Sequence, residues 1–161
     1  MSAMDSVDYQ IFGHDSQYVE IELDPGEAAV GEAGAMLFME QDIAMETVFG
    51  DGSASTQAQG FFGKLMKAGG RLVTGESLFT TVYMHQGHSG KRKVALAAPY
   101  QGQILPMHLS QMGGELICQR DSFLCAANGV SLSIAFQKKI GTGLFGGEGF
   151  IMQRLQGDGL A

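Results

Sequence analysis

Two short segments of this chain are similar to each other, residues 75–79 (GESLF) and 147–151 (GEGFI). Each follows a loop that is rich in glycine and carries basic residues, and each begins an apolar stretch. Because the pattern recurs in the second half of the sequence, we predict a tandem repeat of one structural unit. Such a repeat constrains the architecture, since each copy has the same apolar face to bury.

Further pairs of segments support the repeat. Residues 34–39 are similar to residues 121–126, and residues 43–47 are similar to residues 130–134, in both cases 87 positions later. The segments that begin at Gly75 and Gly147 are only 72 positions apart. The first copy therefore carries about fifteen additional loop residues, and loops are where repeats usually differ.

The order of strand signals predicts an all-β protein. Residues 18–23 alternate apolar and acidic side chains before a turn at residues 24–26, which is typical of a half-buried strand. Similar short segments follow, at residues 35–40, 43–48, 77–84, 92–98, 104–109, 115–119, 122–127, 130–137 and 149–155. Each needs a second sheet to cover its apolar face, so the spacing suggests a sandwich, a jelly roll or a barrel. The first repeat is assigned to residues 1–100 and the second to residues 101–161, with at most one short helix, at residues 61–68.

Composition agrees with a compact domain outside the secretory pathway. The chain has 161 residues, of which 45% are hydrophobic, and its 24 glycines show no collagen period. It has no apolar run long enough for a membrane helix and no secretory signal at the N-terminus, so we expect a soluble, cytoplasmic protein. The two cysteines, Cys118 and Cys125, are too few for a disulfide framework.

Charge is divided unevenly along the sequence. Residues 1–51 contain twelve acidic residues and no Lys or Arg, for a formal charge of −12. Residues 52–161 contain ten basic and five acidic residues, for +5. One interpretation is that an acidic face on one copy meets a basic face on the next. The other is that these charges lie on solvated strand faces and only aid solubility.

Motifs for catalysis, nucleotides or metals are weak. Residues 141–146 (GTGLFG) match the spelling of the dinucleotide fingerprint, but the next segment reads as a strand where a helix is required. His85 and His88 have usable spacing for a metal, and jelly-roll folds often hold one, yet the adjacent glycines favour surface histidines in a turn. No nucleophile elbow is present. We therefore predict no catalytic residue, no metal site and no cofactor.

A basic, apolar loop is the best candidate interaction surface. Between residues 61 and 72 it contains no acid and combines apolar with basic side chains, notably Phe61, Phe62, Lys64, Lys67 and Arg71. This composition suits a membrane surface or the acidic patch of a partner protein. The alternative is a short helix whose apolar side caps the sandwich. The acidic balance of the whole chain and the lack of an aromatic-rich basic strand argue against nucleic acid.

Several motifs together resemble a known family. They are residues 24–27 (DPGE), 32–36 (EAGAM), 74–79 (TGESLF), 97–100 (AAPY), 113–118 (GGELIC) and 146–150 (GGEGF). The chain resembles the "altered inheritance of mitochondria" family of bacterial and mitochondrial proteins from about Tyr9 to Ala161. The resemblance implies a fold similar to the tryptophan RNA-binding attenuation protein, with tandem-repeat jelly-roll or double-stranded β-helix sandwiches, and a tendency to form trimers. It also implies a third repeat that follows the second in members of the family. This sequence ends before that repeat.

These observations favour an interaction protein over an enzyme. We predict a non-enzymatic, self-associating β scaffold that forms a homo-oligomer, with a trimer favoured by the resemblance. The alternative is a cupin-like jelly-roll module that binds a small ligand or a metal in an interior pocket.

Overall fold

The structure, a computed structural model, describes residues 7–49, 79–138 and 150–161. These residues are all-β, as predicted, and their only helical turns are two short 3₁₀ helices, Leu109–Met112 and Arg120–Ser122. Their eleven strands are β1 (Asp8–Gly13), β2 (Gln17–Leu23), β3 (Ala28–Glu32), β4 (Met36–Met39), β5 (Ile43–Phe49), β6 (Phe79–His85), β7 (Arg92–Ala97), β8 (Glu115–Gln119), β9 (Cys125–Ala127), β10 (Ser131–Lys138) and β11 (Phe150–Gln156). The predicted helix at residues 61–68 lies outside the described residues.

The described strands form three sheets in which all pairings of named strands are antiparallel. The first sheet has the order β1-β2-β7-β4 and the middle sheet the order β5-β6-β3-β9. The third sheet has the order β10-β11-β8. Strand β2 shows why the chain folds this way: Val19, Ile21 and Leu23 are buried, whereas the alternating acids Glu20 and Glu22 reach solvent.

The middle sheet is buried on both faces. Ala28 and Val30 of β3 pack in a cluster with residues of the third sheet, such as Leu132. Ala29 of β3 packs in a second cluster with residues of the first sheet, such as Leu96. Strand β3 therefore has no polar face, which is why its sequence, AAVGE, lacks the alternation of a half-buried strand.

The middle and third sheets repeat one arrangement. Strands β8 and β10 lie 87 positions after the corresponding parts of β3 and β5, and β11 lies about 72 positions after β6. Both sets pair in the same order, β5-β6-β3 and β10-β11-β8. Strand β9 follows β8 in sequence but pairs with β3, so the two halves of the chain share a sheet. The boundary between residues 100 and 101 stays a prediction.

The strand predictions differ from the structure in three places. Strands β1 and β3 were not predicted, and the predicted strand at residues 122–127 shortens to β9 because a 3₁₀ turn occupies residues 120–122. Residues 104–109 do not form a strand. Pro106 has no N–H to donate, and the hydrogen bonds of Met107 reach only Ala161, at 2.8 and 2.9 Å.

Candidate functional site

A cleft lies where the edges of the three sheets meet. Its walls include Val19 and Ile21 of β2 in the first sheet and Leu116 and Cys118 of β8 in the third. Strand β9, the terminal strand of the middle sheet, contributes Cys125, Ala126 and Ala127 to the lining. The cleft has a volume of about 390 Å³. It is large enough for several side chains or for a small ligand.

The lining of this cleft is almost entirely apolar. Its side-chain polar groups come from Tyr9, Gln103, Ser122 and the two cysteines. The Ser122 hydroxyl already donates to the Gln119 carbonyl oxygen at 2.7 Å. An occupant would therefore gain from burial of apolar surface rather than from charge.

Strand β8 forms one border of the cleft and is the terminal strand of its sheet. Leu116 and Cys118 are half-buried and point towards the cleft, whereas Glu115, Ile117 and Gln119 are exposed. Among the described strands, β8 pairs only with β11. One of its two backbone edges is therefore open in the described structure.

The two thiols of the cleft are poor nucleophiles. Burial raises the pKa of the Cys125 thiol to about 12. Burial also raises the pKa of Cys118, against a smaller opposing effect of its hydrogen bond with Ser122. Both thiols are free, and the raised pKa values favour the protonated form, which is a weaker nucleophile than the thiolate.

The structure corrects the interpretation of His85 as a surface histidine. Its side chain is fully buried, and its Nδ1 accepts a hydrogen bond from the Gly87 N–H at 2.9 Å. Its Nε2, which must then carry the proton, donates to the Gly90 carbonyl at 2.8 Å. Both ring nitrogens hold the β6–β7 turn, so His85 is a structural residue, whereas His88 is exposed.

The residues that the structure describes offer few other groupings of candidate metal ligands. They contain no group of three His, Cys, Asp or Glu side chains that could hold an ion. A sequence signal for the burial of His85 was present, because His85 lies two positions after Tyr83 and four after Thr81, on the face of β6 that faces the core.

The basic residues of β7 and its turn are paired within the chain. Lys91 contacts Asp8, and Lys93 lies 3.0 Å from Glu20. Hydrogen bonds with these carboxylates raise the pKa values of both lysines. Arg92 likewise lies 3.1 Å from Asp42. The charge split seen in the sequence is thus partly neutralised inside one copy.

Strands β4 and β5 carry an exposed apolar patch. Leu37, Phe38 and Met39 of β4 are 56%, 43% and 39% exposed, and Met45 of β5 is 50% exposed. We call these four residues the β4–β5 patch. Two neighbouring acids are engaged, because Glu40 accepts the Lys93 N–H at 2.8 Å and Asp42 binds Arg92.

Comparisons with protein families and solved structures identify proteins that are similar to this chain. The family model for mitochondrial biogenesis AIM24 matches residues 9–161. The chain belongs to the AIM24 family. This confirms the resemblance seen in the sequence. No curated protein matches this AIM24 chain. A crystal structure of a protein from Streptococcus pyogenes superposes with a TM-score of 0.64 at 21% identity, covering 96% of this chain and 62% of that protein. This likeness shows the fold, and this chain spans 62% of the length of its neighbour.

Some predicted residues of this AIM24 chain fall outside the described residues. They are Phe61, Phe62, Lys64, Lys67 and Arg71 of the proposed interaction loop, and residues 141–146 of the glycine motif. Across the described ranges, no helix has the length and apolarity needed to cross a membrane. The lining of the cleft was not predicted from sequence, because residues far apart in the chain build it.

Proposed function

We propose that this chain is a non-enzymatic interaction protein, a β scaffold that self-associates through the β4–β5 patch. The observation that carries the proposal is the exposure of Leu37, Phe38 and Met39 on an edge strand. An apolar patch on a soluble domain is a common sign of a protein interface. The protonated thiols of the cleft and the structural role of His85 support an interaction function over catalysis.

The resemblance to the family favours a trimer. Association through the patch differs from the charge-driven association suggested by the sequence, because Lys91, Arg92 and Lys93 already bind acids of the same copy. The metal-binding alternative loses support, because both ring nitrogens of its candidate ligand His85 are already hydrogen-bonded. The ligand-binding alternative is supported by the apolar cleft.

Light scattering after size exclusion, at low and high salt, tests the proposal. We expect the unmodified protein to form an oligomer at both salt concentrations, since salt screens charges but does not weaken apolar contacts. The double variant Leu37→Glu, Phe38→Glu should elute as a monomer. Both side chains are exposed, so circular dichroism should show an unchanged fold.

Tyr100→Glu is the matched control, because Tyr100 is an aromatic residue that is 70% exposed and lies outside the patch. It should leave the oligomer intact. A monomeric unmodified protein would overturn self-association. An oligomer that dissociates only in high salt would instead favour contact between acidic and basic faces.

A further inference from the structure

Within the described ranges, the third sheet has three strands, whereas the first and middle sheets have four each. In the first sheet β7 has β2 on one side and β4 on the other, and in the middle sheet β3 has β6 and β9. In each case the fourth strand is short and apolar: β4 is MLFM and β9 is CAA. Strand β8 holds the corresponding position of the third sheet, and no described strand lies on its second side.

The orientation of the β8 backbone follows from one hydrogen bond. The Gly157 N–H donates to the Gly114 carbonyl at 3.0 Å, so Gly114 faces β11. In an antiparallel strand the direction of the backbone groups alternates, so Leu116 and Cys118 also face β11. Glu115, Ile117 and Gln119 therefore present their backbone groups to the open side.

The equivalent groups of β3 are already used. The Glu32 N–H donates to the Leu124 carbonyl at 2.8 Å, and the Ala28 carbonyl accepts the Asn128 N–H at 3.3 Å. Glu32 and Ala28 lie 87 positions before Gln119 and Glu115. The open edge of β8 thus repeats an edge that, in β3, binds a strand.

The edge of β8 lacks the features that usually block strand addition. Strands β4 and β10 each contain a register shift, which bends an edge and discourages pairing. Strand β8 pairs with β11 in unbroken register over five residues. Its one exposed acid, Glu115, lies 3.6 Å from Arg154.

The cleft lies beside this edge on the inner side of β8. A strand that pairs with β8 would lie about 4.8 Å from it and would place alternate side chains next to Leu116 and Cys118. A small apolar ligand could fill the same space, but it would leave both backbone groups of Ile117 and the N–H of Gln119 without a strand partner, since only the Gln119 carbonyl already accepts the Ser122 hydroxyl. A strand satisfies both the backbone groups and the apolar lining.

We propose that β8 is an acceptor for an extended peptide strand of a partner polypeptide. The strand runs antiparallel to β8 opposite residues 116–118, in the register that β9 adopts against β3. It is short and uncharged, and it carries small or apolar residues, as β9 does. This surface is separate from the β4–β5 patch, and the inference does not depend on self-association.

The probe is a capped synthetic peptide with the sequence of residues 122–128, which carries no charge, and alanine replaces the cysteine. The control peptide carries proline at the position of Ala126, which removes the N–H that faces the acceptor strand in the β3–β9 pair. We expect saturable one-to-one binding of the first peptide to the whole chain by fluorescence anisotropy. The proline peptide should bind about tenfold more weakly or not at all.

Hydrogen exchange locates the bound peptide. The amides of Ile117 and Gln119 should exchange about tenfold more slowly in the complex, whereas those of Leu116 and Cys118, already bonded to β11, should change little. Equal binding of both peptides, or binding without protection of Ile117 and Gln119, would overturn the proposal.

Ile117→Pro removes an N–H that no described strand binds, so the pairing of β8 with β11 should persist while peptide affinity falls about tenfold or more. Ile117→Val is the matched control and should bind normally. If the proline variant fails to fold, Cys118→Phe provides a second test, because its ring fills the cleft and should also weaken binding.

The remaining outcomes distinguish the proposed peptide strand from a second copy of the chain and from a small ligand. A dimer of the unmodified protein that Ile117→Pro abolishes, without peptide binding, would show that a second copy occupies the edge and overturn the inference. Binding of an apolar dye that the peptide does not displace would do the same in favour of a small ligand. The Leu37→Glu, Phe38→Glu variant should bind the peptide normally, so failure of the proposed function is seen separately.

Discussion

Strands β3 and β8 occupy the same position in two copies of one repeat, yet their environments differ. Strand β3 has a neighbour on each side and a sheet against each face, and four of its five residues are buried. Strand β8 has one neighbour among the described strands, and its residues alternate between exposed and half-buried. The same strand order therefore yields a closed core in one copy and an open edge beside a cleft in the other.

The side chains at equivalent positions of β3 and β8 differ in the same way. Gly31 of β3 has no side chain, and a Cβ there would lie 3.2 Å from the Tyr83 ring and 3.3 Å from a Leu96 methyl group. The equivalent residue of β8 is Cys118, whose side chain lines the cleft. Space that Tyr83 and Leu96 fill in the first copy is thus left open in the second.

The largest expected effect comes from placing the same charge in both strands. Val30→Asp puts a carboxylate without a partner at a fully buried position, and we expect a loss of at least about 3 kcal/mol of unfolding free energy. Ile117→Asp, at the equivalent position, is 41% exposed and should lose about 1 kcal/mol or less.

Urea unfolding followed by circular dichroism measures both variants. Similar losses for the two substitutions would show that the outer face of β8 is covered, which would contradict the exposure of Ile117.

The sequence predicted strands that have one solvent-exposed face, and it missed features that depend on packing between sheets. The alternation in β2 was readable because one face meets water. Strand β3 was not predicted, because burial on both faces removes the alternation of apolar and polar residues. Residues 104–109 look like a strand by composition, but a strand needs a partner and Pro106 limits the pairing.

The candidate site was less accessible to sequence analysis. Alternation in β8 predicted that Leu116 and Cys118 share a face, but it carried no information about what lies opposite them. That depends on Val19, Ile21 and β9, which come from distant parts of the chain. The burial of His85 was detectable in principle from its spacing to Tyr83.

A smaller effect should follow from adding the same side chain at Gly31 and Cys118. Gly31→Val forces a branched side chain against Tyr83 and Leu96, and we expect a loss of about 2 to 3 kcal/mol. Cys118→Val projects into the cleft and should change the unfolding free energy by less than about 1 kcal/mol. Thermal unfolding of the two variants checks this. A greater loss at Cys118 than at Gly31 would mean that the cleft is tightly packed.

The smallest effect concerns Glu32, the last residue of β3, whose equivalent in β8 is Gln119. Burial raises the pKa of Glu32, although Arg120 opposes the shift. A raised pKa means that the folded state favours the protonated carboxyl, so ionisation at neutral pH reduces stability. The reduction disappears as the pH falls through the folded pKa towards the ordinary value of 4.5.

Glu32→Gln, which copies the residue of the second repeat, should therefore be more stable than the unmodified protein at neutral pH. The gain should be below about 1 kcal/mol, because solvent screens a half-exposed carboxyl. It should shrink as the pH falls, which urea unfolding across a pH series can measure. The reciprocal change Gln119→Glu puts a carboxyl on the open edge of β8, where it is solvated, and its effect should vary less with pH. If the advantage of Glu32→Gln grew as the pH fell, the closed environment assigned to the end of β3 would be wrong, and with it the contrast between the two strands.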